Sequence, residues 1–337
     1  MTDLAMNQDL SRRPTSDREE TGNVSRGRLT ESMAFGLAPG ASVAILANRS
    51  SGLTSRTGQA VDIAVSMLAA HGFYPRLFMA KRGRLGEALA ACRRDDPDLV
   101  IVIGGDGTIL AAAEAFLETG TPLAIVPLGT VNQLARDLDI PLDPQLAMAA
   151  LAAGTVKGID VGRVNGQAFL CTCVVGPLAR LQRYREQARG RLPATLLAMA
   201  TTLLKAFSLR PMHLVLGDGA RTWREDSRGV IVSVNPFLTQ PSRIPRRGRL
   251  DGGRLAVYAA RDHGRLTLVR MAAAILAGRG GDDAGIVYHE APAVTIAARR
   301  RRITVLNDGE VRLLATPLRF ELSPAALHVL VPGPAGA

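Results

Sequence analysis

The fold is decided by the stretch Asp98-Leu99-Val100-Ile101-Val102-Ile103-Gly104-Gly105-Asp106-Gly107-Thr108-Ile109-Leu110. Leu99–Ile103 is an unbroken apolar run, the pattern of a strand covered on both faces, and Thr108–Glu118 carries a helical pattern. Two glycines join them. Glycine lets the backbone approach a ligand closely, while a helix N-terminus presents unpaired N–H groups and the positive end of its dipole. Thr108 is expected to cap that helix. Asp106 is informative because it repels a phosphate unless Mg²⁺ stands between them or the carboxylate orients a bound group. The closing Gly-Lys-Ser/Thr of a Walker loop is absent, and the spacing is not the dinucleotide G-x-G-x-x-G. By itself the pentapeptide is also compatible with a tight strand-to-helix turn.

Outward from this stretch the same alternation recurs. Ser42–Ala47 reads as a strand, Ser55–Ala70 as a helix, Tyr74–Met79 as a strand, Leu85–Arg94 as a helix and Leu123–Val126 as a strand. Continuous apolar strands alternating with helices predict a parallel sheet, which binds ligands at the carboxyl ends of its strands. After about Ala153 the period changes to short strands: Val156–Val161, Gln167–Val175, Met212–Leu216, Gly229–Val234, Arg254–Ala259, Ala293–Ala297, Ile303–Leu306, Leu318–Leu322 and Leu327–Val331. Turn signals such as Asn165-Gly166 and Asn307-Asp308-Gly309 separate many of them, the signature of an antiparallel sandwich. Helical stretches at Leu178–Arg189, Pro193–Phe207 and Leu266–Ala277 interrupt it. Residues 1–39 are polar, without sustained period, and are expected to form a disordered tail. The expected division is tail 1–39, α/β domain 40–153, β-sandwich domain 154–325, and a C-terminal strand and tail 326–337 able to return to the first domain.

Two further polar turns follow strands of the parallel half: Asn48-Arg49-Ser50-Ser51-Gly52, and Pro127-Leu128-Gly129-Thr130-Val131-Asn132-Gln133. Neighbouring strand ends lie side by side, so three such turns can face one ligand.

Taken together, Gly104-Gly105-Asp106-Gly107-Thr108 and Pro127–Asn132 resemble the diacylglycerol kinase catalytic-domain family, which includes bacterial lipid kinases and sphingosine kinases. The resemblance continues through Gly158-Ile159-Asp160-Val161-Gly162, Asn235, Pro245, Asp251-Gly252 and Asn307-Asp308-Gly309-Glu310, so it spans about residues 41 to 332. It implies a nucleotide-binding α/β domain followed by a β-sandwich, with the active site in the cleft between them. It further implies that Asn48, Ser50, Ser51, Gly52, Gly104, Gly105, Asp106, Gly107, Thr108, Gly129, Thr130 and Asn132 form the ATP site. Glu310 is implied as the general base, with Asp308 and Asp106 in supporting catalytic roles, and Mg²⁺ at Asp251 with the carbonyls near Gly248 and Gly253. The implied activity is transfer of the ATP γ-phosphoryl group to a lipid hydroxyl. Phosphoryl transfer needs phosphate neutralisation, an aligned hydroxyl and a proton acceptor.

The chain also departs from the family. Leu110 and Gln133 stand where the lipid kinases carry Asn and Asp, and each is expected to remove a polar group from the nucleotide cleft. Leu110 is the residue NAD kinases carry, although their later Asn-Glu and Gly-Thr-Ala-Tyr segments are missing. NAD kinase, and a member that binds lipid or nucleotide without turnover, therefore remain open as alternatives.

Composition bounds the rest. The 337 residues carry a net charge of +11, 38 of the 41 basic residues are Arg, and residues 161–337 hold 26 basic against 12 acidic residues, an excess of +14. Three arginine groups supply much of it: Arg180 to Arg191, Arg243 to Arg249, and Arg299–Arg302. They are expected to draw the second half to an anionic membrane surface, and neutralising Arg246, Arg247 and Arg249 is expected to weaken that attraction. Only 13 aromatic residues accompany the arginines, too few stacking platforms for a nucleic-acid partner. Cys92, Cys171 and Cys173 cannot form a disulfide framework and read as buried thiols in a reducing compartment. Without a spanning apolar run or a secretory pattern, a cytoplasmic protein peripheral to the inner membrane face is expected, with homo-oligomerisation left open. The five histidines show no metal-ligand spacing.

Overall fold

A parallel array comes first in the computed structural model, which describes residues 34–48, 54–117, 119–176, 179, 212–217, 222–240, 245–261, 273–274, 277 and 286–333. β1 (Val43–Asn48), α1 (Thr54–Ala70), β2 (Arg76–Ala80), α2 (Leu85–Arg94), β3 (Leu99–Gly104), α3 (Asp106–Phe116) and β4 (Leu123–Pro127) alternate along the chain. The four strands lie in the order β2-β1-β3-β4, all parallel. β1, β3 and β4 are buried almost throughout, which is why their sequences are continuous apolar runs. β2 forms the edge and exposes Tyr74 before it and Leu77 within it. Two helices absent from the sequence expectation follow, α4 (Gln133–Asp137) and α5 (Pro144–Ala152). Asp143 caps α5 by accepting the N–H groups of Gln145 and Leu146, with Pro144 at the first helical position.

The remainder is antiparallel, as expected. It comprises β5 (Thr155–Val164), β6 (Gln167–Phe169), β7 (Thr172–Val175), β8 (Met212–Gly217), β9 (Thr222–Val234), β10 (Leu255–Arg261), β11 (Ile286–Ala291), β12 (Ala293–Ala298), β13 (Arg302–Asn307), β14 (Glu310–Ala315) and β15 (Leu318–Val331). The hydrogen-bonded path runs β14-β13-β7-β9-β8-β12-β15-β4-β3-β1-β2, so the two halves are continuous through β15. The first half of β15 pairs with β12, its last residues pair in parallel with β4, and β5 runs antiparallel beside it. Two main cores result. One lies around β1, β3, β4 and their helices; the other is built from Val164, Phe169, Val232, Val257, Val294, Phe320 and their neighbours.

Four local expectations are corrected. The disordered tail does not extend to residue 39, because Ala34, Phe35 and Leu37 are buried in the first core, where Phe35 meets Phe73 and His71 edge-on. The strand expected over Gln167–Val175 is broken at Leu170–Cys171, whose N–H groups turn to the Asp308 carboxylate instead of a neighbouring strand. The strands expected at Leu318–Leu322 and Leu327–Val331 are one, with an irregularity between Ser323 and Leu327 where Ala325 takes a positive φ of 46°. Finally, β11 and β14 were not anticipated. The helices expected at Leu178–Arg189 and Pro193–Phe207 lie, apart from Ala179, outside the described residues; of Leu266–Ala277, only Ala273, Ala274 and Ala277 are described.

The Gly158–Gly162 segment of β5 is a structural joint. Asp160 is 2% exposed, and its carboxylate accepts the Asn235 side-chain amide (3.0 Å), the Gly253 N–H (2.7 Å) and the Ala325 N–H (2.9 Å). It thus ties β5 to the end of β9, to the loop before β10 and to the irregularity in β15. Gly162 faces the Phe169 ring so closely that a Cβ there would stand 2.3 Å from a ring carbon. Asp160→Ala leaves the buried Asn235 amide and the part-buried bonds from the Gly253 and Ala325 N–H groups without their acceptor. It is expected to lower unfolding stability by about 3 kcal/mol or more, read as a fall in the urea midpoint at unchanged slope.

The cysteines are free and buried. Burial pushes the Cys92 thiol up to about 12 and also raises Cys171 and Cys173. A thiol reagent at neutral pH is accordingly expected to label the native protein slowly and the unfolded protein at all three positions.

Candidate active site

β3 ends at Gly104, and α3 begins at Asp106. Gly105 stands at the N-cap with no side-chain bond to the helix, so Thr108 is not the cap that the sequence suggested. The Thr108 hydroxyl instead accepts a 3.0 Å hydrogen bond from the Asn48 amide at the end of β1, joining two strand ends. The Leu128 N–H donates to the Gly104 carbonyl, bringing the second glycine turn against the first. Gly105 and Gly129 then meet backbone to backbone: a Cβ on Gly129 would stand 2.9 Å from the Gly105 Cα. No larger residue fits Gly129 without a shift of the backbone, and a Cβ on Gly105 would press on the Gly129 Cα at 3.1 Å.

The polar residues of these motifs point into the turns. Asn132, in the left-handed region at φ 52°, accepts from the Gly129 N–H and donates to its carbonyl. Asp106 accepts the N–H groups of Asn132 (2.9 Å) and Gln133 (2.8 Å), fastening the start of α4 to the start of α3. Burial pushes its carboxyl above the ordinary carboxylate range, with these two N–H groups and Arg136 pulling against it. Asp106 and Asn132 therefore hold the glycine turns in shape. What faces outward is backbone at Gly105, Gly107 and Gly129, together with exposed Thr130 at the start of the second turn. A bare backbone cradle at a helix N-terminus suits phosphate oxygens. Ser50, Ser51 and Gly52 lie outside the described residues.

From the second half, the Asp308–Gly309 turn approaches this cradle. It is the two-residue hairpin expected from Asn307-Asp308-Gly309, with φ 44° and 90° at its central residues and Asn307 paired with Glu310. Asp308 is not free to act on a substrate or metal. Its carboxylate accepts the N–H groups of Leu170 (2.5 Å), Cys171 (2.9 Å) and Thr172 (2.8 Å), and its own N–H donates to the Thr172 carbonyl. Burial raises its carboxyl, and the three N–H groups and Arg247 counter this. The supporting role expected of Asp308 is corrected to one of position: it fixes the turn that carries Glu310. Glu310 itself is exposed and ion-paired with Arg312 at 2.9 Å, and one of its carboxylate oxygens lies 3.7 Å from where a Gly107 Cβ would stand. A carboxylate from the β half thus reaches the N-terminus of α3 across the cleft.

A cavity of about 170 Å³ lies beside this approach, with Ile109, Val131, Leu134 and Leu170 as apolar wall and Asp106, Gln133 and Asp308 as polar rim. A polar circuit runs around it. From Asp106 it passes to the Gln133 N–H, from the Gln133 amide to Asp137 and the Pro245 carbonyl, and from Asp137 to Arg247. Arg247 then donates to the Leu170 carbonyl (2.6 Å), and the Leu170 N–H returns to Asp308. Arg247 and Asp137 are fully buried, at 1% and 0% side-chain exposure. Burial works against the Arg247 charge, but Cys171, Asp137 and Asp308 outweigh it and hold the proton more tightly than water does.

Several expectations change here. Of the group expected to face lipid, Arg247 is instead buried against Asp137, while Arg246 and Arg249 stay at the surface in ion pairs with Asp139 and Asp251. Arg246 also reaches the Arg136 carbonyl. Leu110 does not face the nucleotide: it is 2% exposed in the first core. Gln133 does lie at the cleft, as a link between the halves. The loop expected to hold Mg²⁺ carries one acid, Asp251, to set beside the carbonyls near Gly248 and Gly253. Asp251 is 61% exposed and bound to Arg249, the Gly248 Cα lies under the Leu238 side chain, and the Gly253 N–H belongs to Asp160. Among the described residues no group of three His, Cys, Asp or Glu side chains stands together to hold a metal. Arg247, Asp137, Gln133 and Leu170 were missed as a group, since no local pattern joins positions more than a hundred residues apart.

Comparison with known proteins agrees with this geometry. Residues 42–164 match the diacylglycerol kinase catalytic domain, and residues 174–331 match the YegS C-terminal NAD kinase beta sandwich-like domain. A "Probable lipid kinase YegS-like" of Pseudomonas aeruginosa PAO1 is 30% identical over 231 residues, covering 68% of this chain and 75% of that one. The chain belongs to the diacylglycerol kinase catalytic-domain family. A diacylglycerol kinase of Bacillus subtilis is 26% identical over 242 residues, covering 70% of this chain and 78% of its own. The crystal structure of a diacylglycerol kinase from Bacillus anthracis str. Sterne shares the fold, with a TM-score of 0.63 over 88% of this chain and 98% of that chain at 20% identity.

In this family member the buried pair can be tested by a double-mutant cycle. Arg247→Met and Asp137→Leu are each expected to lower stability by about 3–5 kcal/mol, because each leaves an uncompensated buried charge. The double variant is expected to recover much of that loss in denaturant unfolding while phosphotransferase activity stays low, since the halves lose their register.

Proposed function

We propose that this chain is an ATP-dependent lipid kinase that transfers the γ-phosphoryl group to the hydroxyl of a membrane lipid of diacylglycerol or sphingoid type. One observation carries the proposal: Glu310 stands beside Gly107 at the N-terminus of α3, and the Asp308–Gly309 turn that carries it lines an apolar-walled cavity. Family membership supports a kinase with ATP as donor. The nucleotide's terminal phosphates would lie on the backbone of Gly105, Gly107 and Gly129 and the first turn of α3, where N–H groups and the helix dipole favour negative charge. Magnesium would accompany ATP on its phosphates.

In the transfer, the acceptor hydroxyl enters the cavity from the β half. Its proton passes to the Glu310 carboxylate, its oxygen forms the new bond to the γ-phosphorus, and the bond to the β-phosphate oxygen breaks to release ADP. Arg312 holds the carboxylate until the hydroxyl takes its place. Ile109, Val131, Leu134 and Leu170 exclude water from the reacting oxygen, which limits ATP hydrolysis. The protein would act in the cytoplasm at the inner membrane face; among the described residues no helix is long and apolar enough to cross a membrane. NAD kinase is the weaker alternative, because Leu110, which suggested it, packs in the core and does not meet a ligand.

The test is transfer of labelled phosphate from ATP to a panel of diacylglycerol, sphingoid base and phosphatidylglycerol, with the product mass identified. Lipid phosphorylation is expected, and Glu310→Gln should reduce kcat by about 100-fold or more with little change in nucleotide binding. Efficient phosphorylation of NAD with none of the lipids overturns the proposal, and nucleotide binding without any turnover replaces it with a non-enzymatic role.

A further inference from the structure

The structure sorts the arginines into two kinds. Arg76, Arg84, Arg246, Arg247, Arg249 and Arg312 are each ion-paired with an acid. Arg299, Arg300, Arg301 and Arg302 are consecutive and exposed, and among the described residues no carboxylate is paired with them. Arg299–Arg301 form the turn between β12 and β13, and Arg302 opens β13. This turn is clamped, since the Thr316 N–H and hydroxyl donate to the carbonyls of Arg301 (3.0 Å) and Arg300 (2.5 Å). Four exposed arginines are therefore carried on a backbone held by Thr316.

Their surroundings narrow the partner. Val215, paired with Ala297 just before the quartet, is 37% exposed, and Leu313, paired with Thr304 just after it, is 58% exposed. Beside the clamp an open hollow of about 400 Å³ lies between Asn165-Gly166 and Ala315–Pro317, with exposed Arg319 in its wall and Glu321 as its one acid. Fixed positive charge next to exposed aliphatic side chains suits a surface of anionic headgroups over acyl chains. Nucleic acid would instead call for aromatic stacking platforms, and neither Val215 nor Leu313 supplies one.

We propose that Arg299–Arg302, with Val215 and Leu313, form a docking surface for an anionic lipid bilayer. The quartet lies at the opposite end of the β13–β14 hairpin from Glu310, about 17 Å away along a strand of this length. Docking is thus separate from the catalytic contact and holds the β half, not the nucleotide cradle, against the membrane. The proposal extends the lipid-kinase reading, but its test reads binding alone, so either can fail without the other.

The full chain is floated with phosphatidylcholine vesicles containing either no phosphatidylglycerol or about 30 mol%, at about 0.1 M and about 0.5 M salt. Binding is expected only to anionic vesicles, falling with salt. Replacing Arg299, Arg300, Arg301 and Arg302 by Gln should lower partitioning roughly 100-fold. A control that removes equal charge from the α/β half, Arg56, Arg82, Arg93 and Arg94 to Gln, should retain it. Leu313→Ala should weaken binding several-fold without changing its salt dependence. Circular dichroism and thermal unfolding verify that the quadruple variant is folded; should it not be, Arg299 and Arg300 to Gln, and Arg301 and Arg302 to Gln, are compared as separate pairs. Equal losses from quartet and control make the effect one of net charge and overturn the proposal. So does equal binding to neutral vesicles, or quartet-dependent capture of single-stranded nucleic acid without vesicle binding.

Discussion

The guanidinium of Arg247 lies in the interior, and everything around it must answer its five donors. Asp137 takes two contacts, the Leu170 and Val234 carbonyls take two, and the Cys171 sulfur lies at 3.3 Å. These partners belong to the end of α4, the junction between β6 and β7, and β9, so one side chain fixes three elements drawn from both halves. A buried ion pair of this kind adds little to stability over a well-packed apolar substitute, yet it costs much when broken. Its value lies in the single arrangement it permits. Leu170, held through its carbonyl by Arg247, offers its N–H to Asp308, and the turn that Asp308 closes carries Glu310 to Gly107. The position of the candidate base therefore depends on a residue that never meets substrate.

The glycine motifs follow a similar logic. Asp106, Asn132 and Thr108 direct their side chains to neighbouring backbone or to Asn48, which leaves glycine backbone as the outward surface. The charged and polar residues stand behind the glycines, where they shape the turns. Asp160 does the same work at the joint between β5, β9 and β15. In each case a carboxylate surrounded by N–H donors organises loops that have no regular partner, in keeping with the need of buried polar groups to be satisfied.

Local features were legible. The apolar runs of β1, β3 and β4, the change of period after Ala153, and the Asp308–Gly309 hairpin all follow from spacing and turn chemistry within a few residues. The breaks were not. Gln167–Val175 reads as one strand, since nothing nearby reveals that Asp308 will draw off the N–H groups of Leu170 and Cys171. β15 reads as two strands because Pro324 and Ala325 interrupt the pattern, although β5 pairs with it on both sides of the irregularity. Leu110 drew attention by its place in the motif, yet helical geometry turns it into the core and leaves Ile109 at the cavity.

By itself, then, the sequence determined the strand–helix alternation of the first half, the change to antiparallel strands after it, and the turns that meet at the cleft, because hydrophobic period and glycine stereochemistry act over short stretches of chain. The tertiary structure alone decided which charges are partners and which are surface. Arg247 lies 110 residues from Asp137, and Arg299–Arg302 look no different from it in composition. Whether an arginine is neutralised inside or left to meet the surroundings depends on which carboxylates the fold brings within a few ångströms, and that distance is set by long-range packing.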